Sequence, residues 1–186
     1  MNKYILAIGN LAVGSIKVAL TKLFHVRGFK ASIFSFMSPS SELTLNYGGK
    51  LKLGKKIKLR DRAKIRVRKN AVCEIGRNTS VNTGNLIVCR EKIIIGKNVQ
   101  LAPNVLIYDH DHDYKADGGV GAMKYKTSPV VIGDNCWIGA NTVILRGTTL
   151  GNNCVVGAGC VLKGDYPDNS VIVQKRETIV KTYGEQ

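Results

Sequence analysis

The chain has 186 residues, of which 44% are hydrophobic and 22% charged, enough for one domain with a substantial core and too apolar for a disordered chain. Its 28 Lys and Arg against 13 Asp and Glu give a formal net charge of +15, which favours an anionic partner: nucleic acid, an acidic membrane surface, or a phosphate-bearing cofactor or glycan. No zinc-finger spacing, basic zipper or stacking-rich RNA motif accompanies that charge, and no CxxC occurs among the five cysteines, so nucleic-acid binding, a zinc site and a disulfide framework are not expected.

Residues 1–48 form an N-terminal helical or extended segment. Met1 to Val26 is apolar but broken by Gly9, Asn10, Gly14, Lys17 and Lys22, and its longest uncharged run, Tyr4 to Ile16, is too short to span a bilayer. Leu6, Leu11, Val13, Val18, Leu20, Leu23 and Phe24 fit an amphipathic helix. The basic residues Lys3, Lys17, Lys22, Arg27 and Lys30 have no acidic neighbour before Glu42. The segment is read as a helix packing on the domain or on another subunit; the second reading is peripheral contact with the inner membrane face through residues 1–30.

Residues 49–164 carry a six-residue rhythm. From Val130 the chain reads VVIGDN CWIGAN TVILRG TTLGNN CVVGAG CVLKGD. Aliphatic residues recur at Ile132, Ile138, Ile144, Leu150, Val156 and Leu162, and a small or hydroxyl residue sits four places after five of them: Cys136, Thr142, Thr148, Cys154 and Cys160. Upstream, the same register gives Leu53, Leu59 and Ile65, then Ile75, Val81 and Ile87, then Ile95, Leu101 and Ile107. The irregular steps fall after every third repeat, as expected if three hexapeptides make one triangular turn. The predicted fold is all-β: a left-handed parallel β-helix of about five coils. The aliphatic residues point into the shaft, and glycine turns the corners where a side chain would crowd. Cys136 and Cys154, eighteen apart, should stack on adjacent coils as small packing residues, or close enough for a disulfide. Residues 165–186 are a tail that begins with the turn Tyr166-Pro167-Asp168-Asn169.

The longest departure is the loop 108–130, which holds the run Asp109-His110-Asp111-His112-Asp113. A loop thrown off a rigid solenoid is a place for function. Imidazole titrates near neutrality, and an adjacent carboxylate fixes its tautomer and raises its basicity, so general-base catalysis is favoured. Alternating imidazole and carboxylate also suits a metal. In an extended segment His110 and His112 share one side and the aspartates the other, so metal binding would need remote ligands or a sharp bend.

The IG(D/K)N and IGA hexapeptides, IGDNCWIGANTVI leading to VVGAGCVLKGD, and the histidine loop after the third coil resemble the hexapeptide-repeat O-acetyltransferases, the group that includes the galactoside and maltose enzymes. LIYDHDHDY and VIVQKRET look most like the branch that acetylates capsular, O-antigen or other surface polysaccharides. The resemblance covers about residues 43–175. It implies a cytoplasmic homotrimer with its active site between subunits, acetyl-CoA as acyl donor without a metal, and a sugar or glycan acceptor. It places the catalytic base at His110, with Asp109 and His112 on the acceptor side. Asn82 matches an asparagine near the acceptor pocket; the second such asparagine falls at Gly84, with Asn85 as substitute. Backbone along the pantetheine arm matches Ala140, Ala158 and Gly159, with Trp137 and Lys163 beside it. A GNPA-like turn of many relatives is replaced by VQKRET, where Lys175 and Arg176 are candidates for meeting CoA phosphates. Competing readings are N-acyl transfer to an amine, aminosugar or drug, and a non-catalytic β-helix that binds glycan or membrane. A metal-dependent hydrolase of this fold needs histidines from successive coils, and these coils have none.

Overall fold

In the computed structural model, which describes residues 3–175 and 177–180, helix α1 (Lys3–Phe24) lies across one end of a parallel β-helix. The chain then winds three faces per coil. The first coil is Phe29–Ala31, Phe36–Met37 and Glu42–Leu45, the fourth is Lys92–Ile95, Gln100–Leu101 and Leu106–Tyr108, and the sixth is Thr149–Leu150, Val155–Val156 and Val161–Leu162. Each strand pairs in parallel with its counterparts on neighbouring coils, so two faces are seven-stranded sheets and the third has six strands.

All five triplets occupy the expected register. Leu53 stacks on Ile75, Ile75 on Ile95, Ile95 on Ile132 and Ile132 on Leu150, and the other two columns behave alike. The fifteen inward residues are at most 3% exposed. Burying each aliphatic side chain contributes about 1.5–3 kcal/mol before chain entropy is subtracted. The solenoid also runs past the bounds read from the sequence. Ala31, Met37 and Leu43, again six apart, align with Leu53, Leu59 and Ile65 and make a coil inside the N-terminal segment. Tyr166 and Ile172 align with Leu150 and Val156 and begin a seventh coil inside the tail.

The corners turn differently from expectation. The glycines of the IG pairs have no left-handed φ; they sit where a Cβ would strike the next coil, as at Gly133, where it would lie 2.5 Å from the Gly151 carbonyl oxygen. The left-handed residue is mostly asparagine, at Asn78, Asn98, Asn135, Asn153 and Asn169 on one corner. A short amide side chain tolerates that region and bonds locally. These five form a ladder, each Nδ2 donating to the Oδ1 of the next at 2.9–3.2 Å. The five cysteines are buried and free, Cys136 and Cys154 among them. Burial pushes the Cys136 thiol up to about 11.

Helix α1 packs on the first coil through a narrow stripe. Val18 is buried, and a Cβ at Gly14 would fall 1.9 Å from the Ser35 carbonyl oxygen, so only glycine lets the helix this close. Lys17 turns inward, and its ammonium donates to the carbonyl oxygens of Ser38 and Pro39 at 3.0 Å. The helix α1 is longer than the uncharged run in the sequence, and by length and composition it is long and apolar enough to cross a membrane.

Candidate active site

The chain leaves the third face after Tyr108. Along that face the second inward column is Leu45, Val67 and Cys89, paired coil on coil. Asp109 follows Tyr108, which pairs with Val88, and so continues this column. A carboxylate therefore occupies a slot that elsewhere holds an apolar side chain, and it is fully buried. It is held by donors: the Arg90 N–H at 2.8 Å, the Glu91 N–H at 2.7 Å and His110 Nδ1 at 3.0 Å. Burial alone would raise the Asp109 carboxyl, but its hydrogen bond with His110 and the two amides outweigh that and hold its pKa below the usual carboxylate value.

His110 begins a short strand, His110–His112, that pairs antiparallel with Tyr125–Thr127, so the loop is a hairpin joined by a 3₁₀ turn at Gly119–Ala122. The extended backbone puts both histidines on one side, against one ring. The His110 and Tyr125 rings meet edge-on with centroids 5.6 Å apart, and His112 lies 4.6 Å from the same ring. Tyr108 meets the other side of His110 at 5.9 Å. The aspartates point elsewhere: Asp111 accepts from Arg146 Nε at 2.6 Å, and Asp113 pairs with Lys126 at 3.1 Å. Those two contacts tie the hairpin to the next coil and to itself.

The His110 side chain is 11% exposed, so the imidazole is largely dry with one edge open. Its Nδ1 is engaged by Asp109, which gives Nε2 the free lone pair of a base. Among the described residues no group of three His, Cys, Asp or Glu side chains is placed to hold a metal.

Two residues belong to this site that the sequence reading did not select. The Arg90 guanidinium lies over the Tyr125 ring, 3.4 Å from its centroid, and its Nε is buried without a hydrogen-bond partner. Arg90 is twenty residues before His110, one coil earlier, so the register itself places the two together. Tyr125 carries no such signal, because it arrives by hairpin pairing outside the repeat.

The other candidates are dispersed. Asn82 is half-buried at the corner between the second and third faces, its Oδ1 accepting from the Thr83 N–H. That corner is separated from His110 by the whole third face, on the order of 15 Å. Asn85 does not face an acceptor. It is fully buried, its Nδ2 donates to the Asn82 and Ala102 carbonyls, and its Oδ1 accepts from the Val105 N–H. Its position explains this: it lies four residues after Val81, the small-residue slot of the repeat. Asp109 likewise has no surface for acceptor contact and works through His110. Ala140, Ala158 and Gly159 share the corner of Asn82, and the Gly159 N–H donates to the Ala140 carbonyl at 2.7 Å. Trp137 stands exposed on the second face and Lys163 exposed at the end of the third, while His112 is beside His110. Lys175 is exposed; Arg176 lies outside the described residues.

Residues 129–163 match the family model of the hexapeptide repeat of succinyl-transferase. The chain is 40% identical over 97 residues to the putative acetyltransferase YJL218W of Saccharomyces cerevisiae, covering 52% of this chain and 49% of that one. It is 34% identical over 117 residues to the putative lipopolysaccharide biosynthesis O-acetyl transferase WbbJ of Escherichia coli, covering 59% and 60%. The chain thus spans about half to three fifths of the length of these relatives. The fold is shared with an N-acyltransferase from Bacillus cereus solved with dTDP and coenzyme A, at 15% identity and a TM-score of 0.60, covering 80% of each chain. The matched repeat, the coils it builds and these likenesses show a left-handed β-helix fold of hexapeptide repeats, and the chain is similar to acetyltransferases with that repeat.

Proposed function

We propose that this protein transfers an acetyl group from acetyl-CoA to a sugar hydroxyl of a surface-polysaccharide precursor, with His110 as general base. The observation that carries the reading is the Asp109–His110 pair, a buried carboxylate on Nδ1 of an imidazole whose side chain keeps 11% exposure. His110 Nε2 takes the proton of the sugar hydroxyl as its oxygen attacks the thioester carbonyl. The tetrahedral oxyanion then collapses, the C–S bond breaks, and the departing thiolate receives the proton from His110. Asp109 stabilises the imidazolium formed in between. A hydroxyl must lose its proton as it attacks, and an ammonium must lose one before it can, so the pair serves either acceptor and the choice of ester formation rests on the likeness to relatives. The O-acetyl transferase name of the Escherichia coli relative supports the same choice.

In this reading the donor lies along the small-residue corner of Ala140, Ala158 and Gly159, with Trp137 and Lys163 at its edges, and Asn82 and His112 contact the acceptor. That corner is a face away from His110 of the same chain, so the site is completed by packing one copy's hairpin against the corner of the next, as in a cytoplasmic homotrimer. The B. cereus N-acyltransferase, with coenzyme A bound, supports a CoA thioester as donor.

The test is thiol release from acetyl-CoA in the presence of candidate sugars, with hydroxylamine lability of the product to separate ester from amide. His110→Ala should lose at least roughly a hundredfold in kcat. Equal thiol release by wild type and His110→Ala refutes the base assignment, and a hydroxylamine-stable product refutes O-transfer.

A further inference from the structure

The helix α1 is apolar on the side turned away from the protein. Asn10, Gly14, Val18 and Thr21, spaced three to four residues apart, form the stripe against the first coil, and Lys17 is drawn in beside them. At 100° per residue, the opposite half of the cylinder carries Ile5, Leu6, Ile8, Ala12, Val13, Ile16, Ala19, Leu20, Leu23 and Phe24, without a charge. Ile5, Ile8, Leu23 and Phe24 are between 62% and 77% exposed. Ile33 and Phe34, on the loop whose Ile33 carbonyl accepts from Ser15 Oγ, extend the apolar surface. A soluble cap would bury these residues and show its polar stripe; this one does the reverse.

Cations rim the patch. At the C-terminal end of α1, one concavity is lined by Phe24, Val26, Arg27, Tyr47 and Lys50, and Lys30 lines the hollow beside it, where Lys52 is paired with Glu74 at 3.0 Å. Tyr47 is 87% exposed there. The chain has no Asp or Glu before Glu42, and Glu42 is paired with Lys64 and Arg66. Apolar side chains to enter acyl chains, an aromatic ring at headgroup depth and lysines and arginines for phosphates are the chemistry of a membrane surface rather than of a protein groove.

We propose that α1 is a monotopic membrane anchor that lies in the plane of an anionic phospholipid bilayer, its outward half inserted and its inner stripe kept on the solenoid. Because the first coil occupies one side of the helix from Asn10 to Thr21, and Lys17 is fastened to the turn at Ser38–Pro39, α1 docks flat and does not span. The inference stands on the surface alone, independently of the reaction at His110. It places the first coil against the bilayer, with the hairpin three coils further out.

The test uses the full chain, purified, with vesicles of phosphatidylcholine alone or with about one third phosphatidylglycerol. The protein should sediment with the anionic vesicles. Ile16→Glu/Leu20→Glu, which leaves the inner stripe intact, should weaken partitioning by about tenfold or more, with the thermal midpoint unchanged. Arg27→Gln/Lys30→Gln should weaken binding to the anionic vesicles only. Wild type remaining in the supernatant overturns the proposal, as does undiminished sedimentation of the Ile16/Leu20 variant. A chain that resists extraction from cell membranes by alkaline carbonate overturns the flat orientation. A solution mass that falls when Ile16 and Leu20 are replaced assigns the face to a second copy instead.

Discussion

Asp109→Asn is the most discriminating change in this protein, because it alters one proton's position and little else. The buried carboxylate accepts from three N–H groups, two of them backbone amides of Arg90 and Glu91. An asparagine has one acceptor oxygen. Turning that oxygen toward His110 would press its NH₂ against the two buried amides, leaving donors unsatisfied at about 1–3 kcal/mol each. The oxygen therefore stays on the amides, and the NH₂ faces His110 Nδ1. A donor there forces the imidazole into the tautomer with hydrogen on Nε2, which cannot take a proton from an acceptor. The expected loss in kcat is roughly a thousand- to ten-thousandfold, equivalent to about 4–5.5 kcal/mol of barrier. Stability should fall by only about 1–2 kcal/mol, since neutral hydrogen bonds replace charge-assisted ones. The pH dependence has a defined sign. A carboxyl held below its ordinary value stabilises the fold above the unfolded-state pKa of about 4 and loses that contribution as pH falls through the folded value. Asp109→Asn should accordingly flatten the acid limb of the stability curve. The assays are steady-state thiol release and thermal melting across pH 3–8. A variant that keeps kcat within about threefold of wild type would show that the carboxylate does not set the tautomer, and the mechanism would fall with it.

Arg90→Leu removes the cation stacked on Tyr125, the ring that flanks both histidines, and should lower kcat/KM by roughly tenfold, with Arg90→Lys recovering only part because a lysine cannot stack as a plane. Arg146→Ala cuts the contact to Asp111 that ties the hairpin to the next coil. It should raise KM while costing under about 1 kcal/mol in melting experiments. Gly133→Ala drives a Cβ into the Gly151 carbonyl and should cost about 2 kcal/mol or more, a fall of about 4–8 °C in the thermal midpoint. Gly84→Asn works in the opposite direction. Gly84 has φ +71° and sits over Asn104, which already donates to Asn141. An asparagine there extends that ladder by a rung and should stabilise by about 0.5–1 kcal/mol, measured by chemical denaturation; destabilisation would mean the Asn104 side chain cannot move aside.

Much of the fold was legible because the inward residue of a solenoid recurs at a fixed spacing and nothing else produces that rhythm over fifteen positions. The coils at either end escaped notice for a physical reason. Ala31, Met37 and Leu43 keep the spacing but lack the IG pair: Ser32, Ser38 and Thr44 stand where the glycine would follow, so only the bare spacing marks the coil. Tyr166 and Ile172 face an open end where large side chains fit. The corner residues were misassigned because glycine and asparagine serve different needs: one removes a clash with the next coil, the other adopts the left-handed turn. The catalytic candidate was visible in the run around His110, yet the strongest clue lay in the register. Asp109 stands two places after Ile107, as Cys89 does after Ile87 and Val67 after Ile65. A carboxylate in an inward column is costly unless it is fully hydrogen-bonded, so its presence marks the loop more sharply than the histidines do. The same register shows Asn85 in the packing slot and removes it from the acceptor pocket.

The distribution of the candidate machinery carries a consequence for assembly. A triangular solenoid separates its corners by a face, and no rearrangement within one chain brings Asn82, Ala140 or Ala158 to His110. The hairpin is anchored to its own chain through Arg146 and Asp109, so it cannot swing across the third face. If donor and base act together, they come from different copies, and activity must follow the concentration of the assembled form. Mixing an inactive His110→Ala chain with a chain blocked at the opposite corner by Ala158→Trp should then restore activity, since some interfaces pair an intact hairpin with an intact corner. In random trimers of equal parts, each interface is intact in about one case in four. No recovery on mixing, with trimers formed, would place the whole site within one chain and contradict the division of roles argued from the corners.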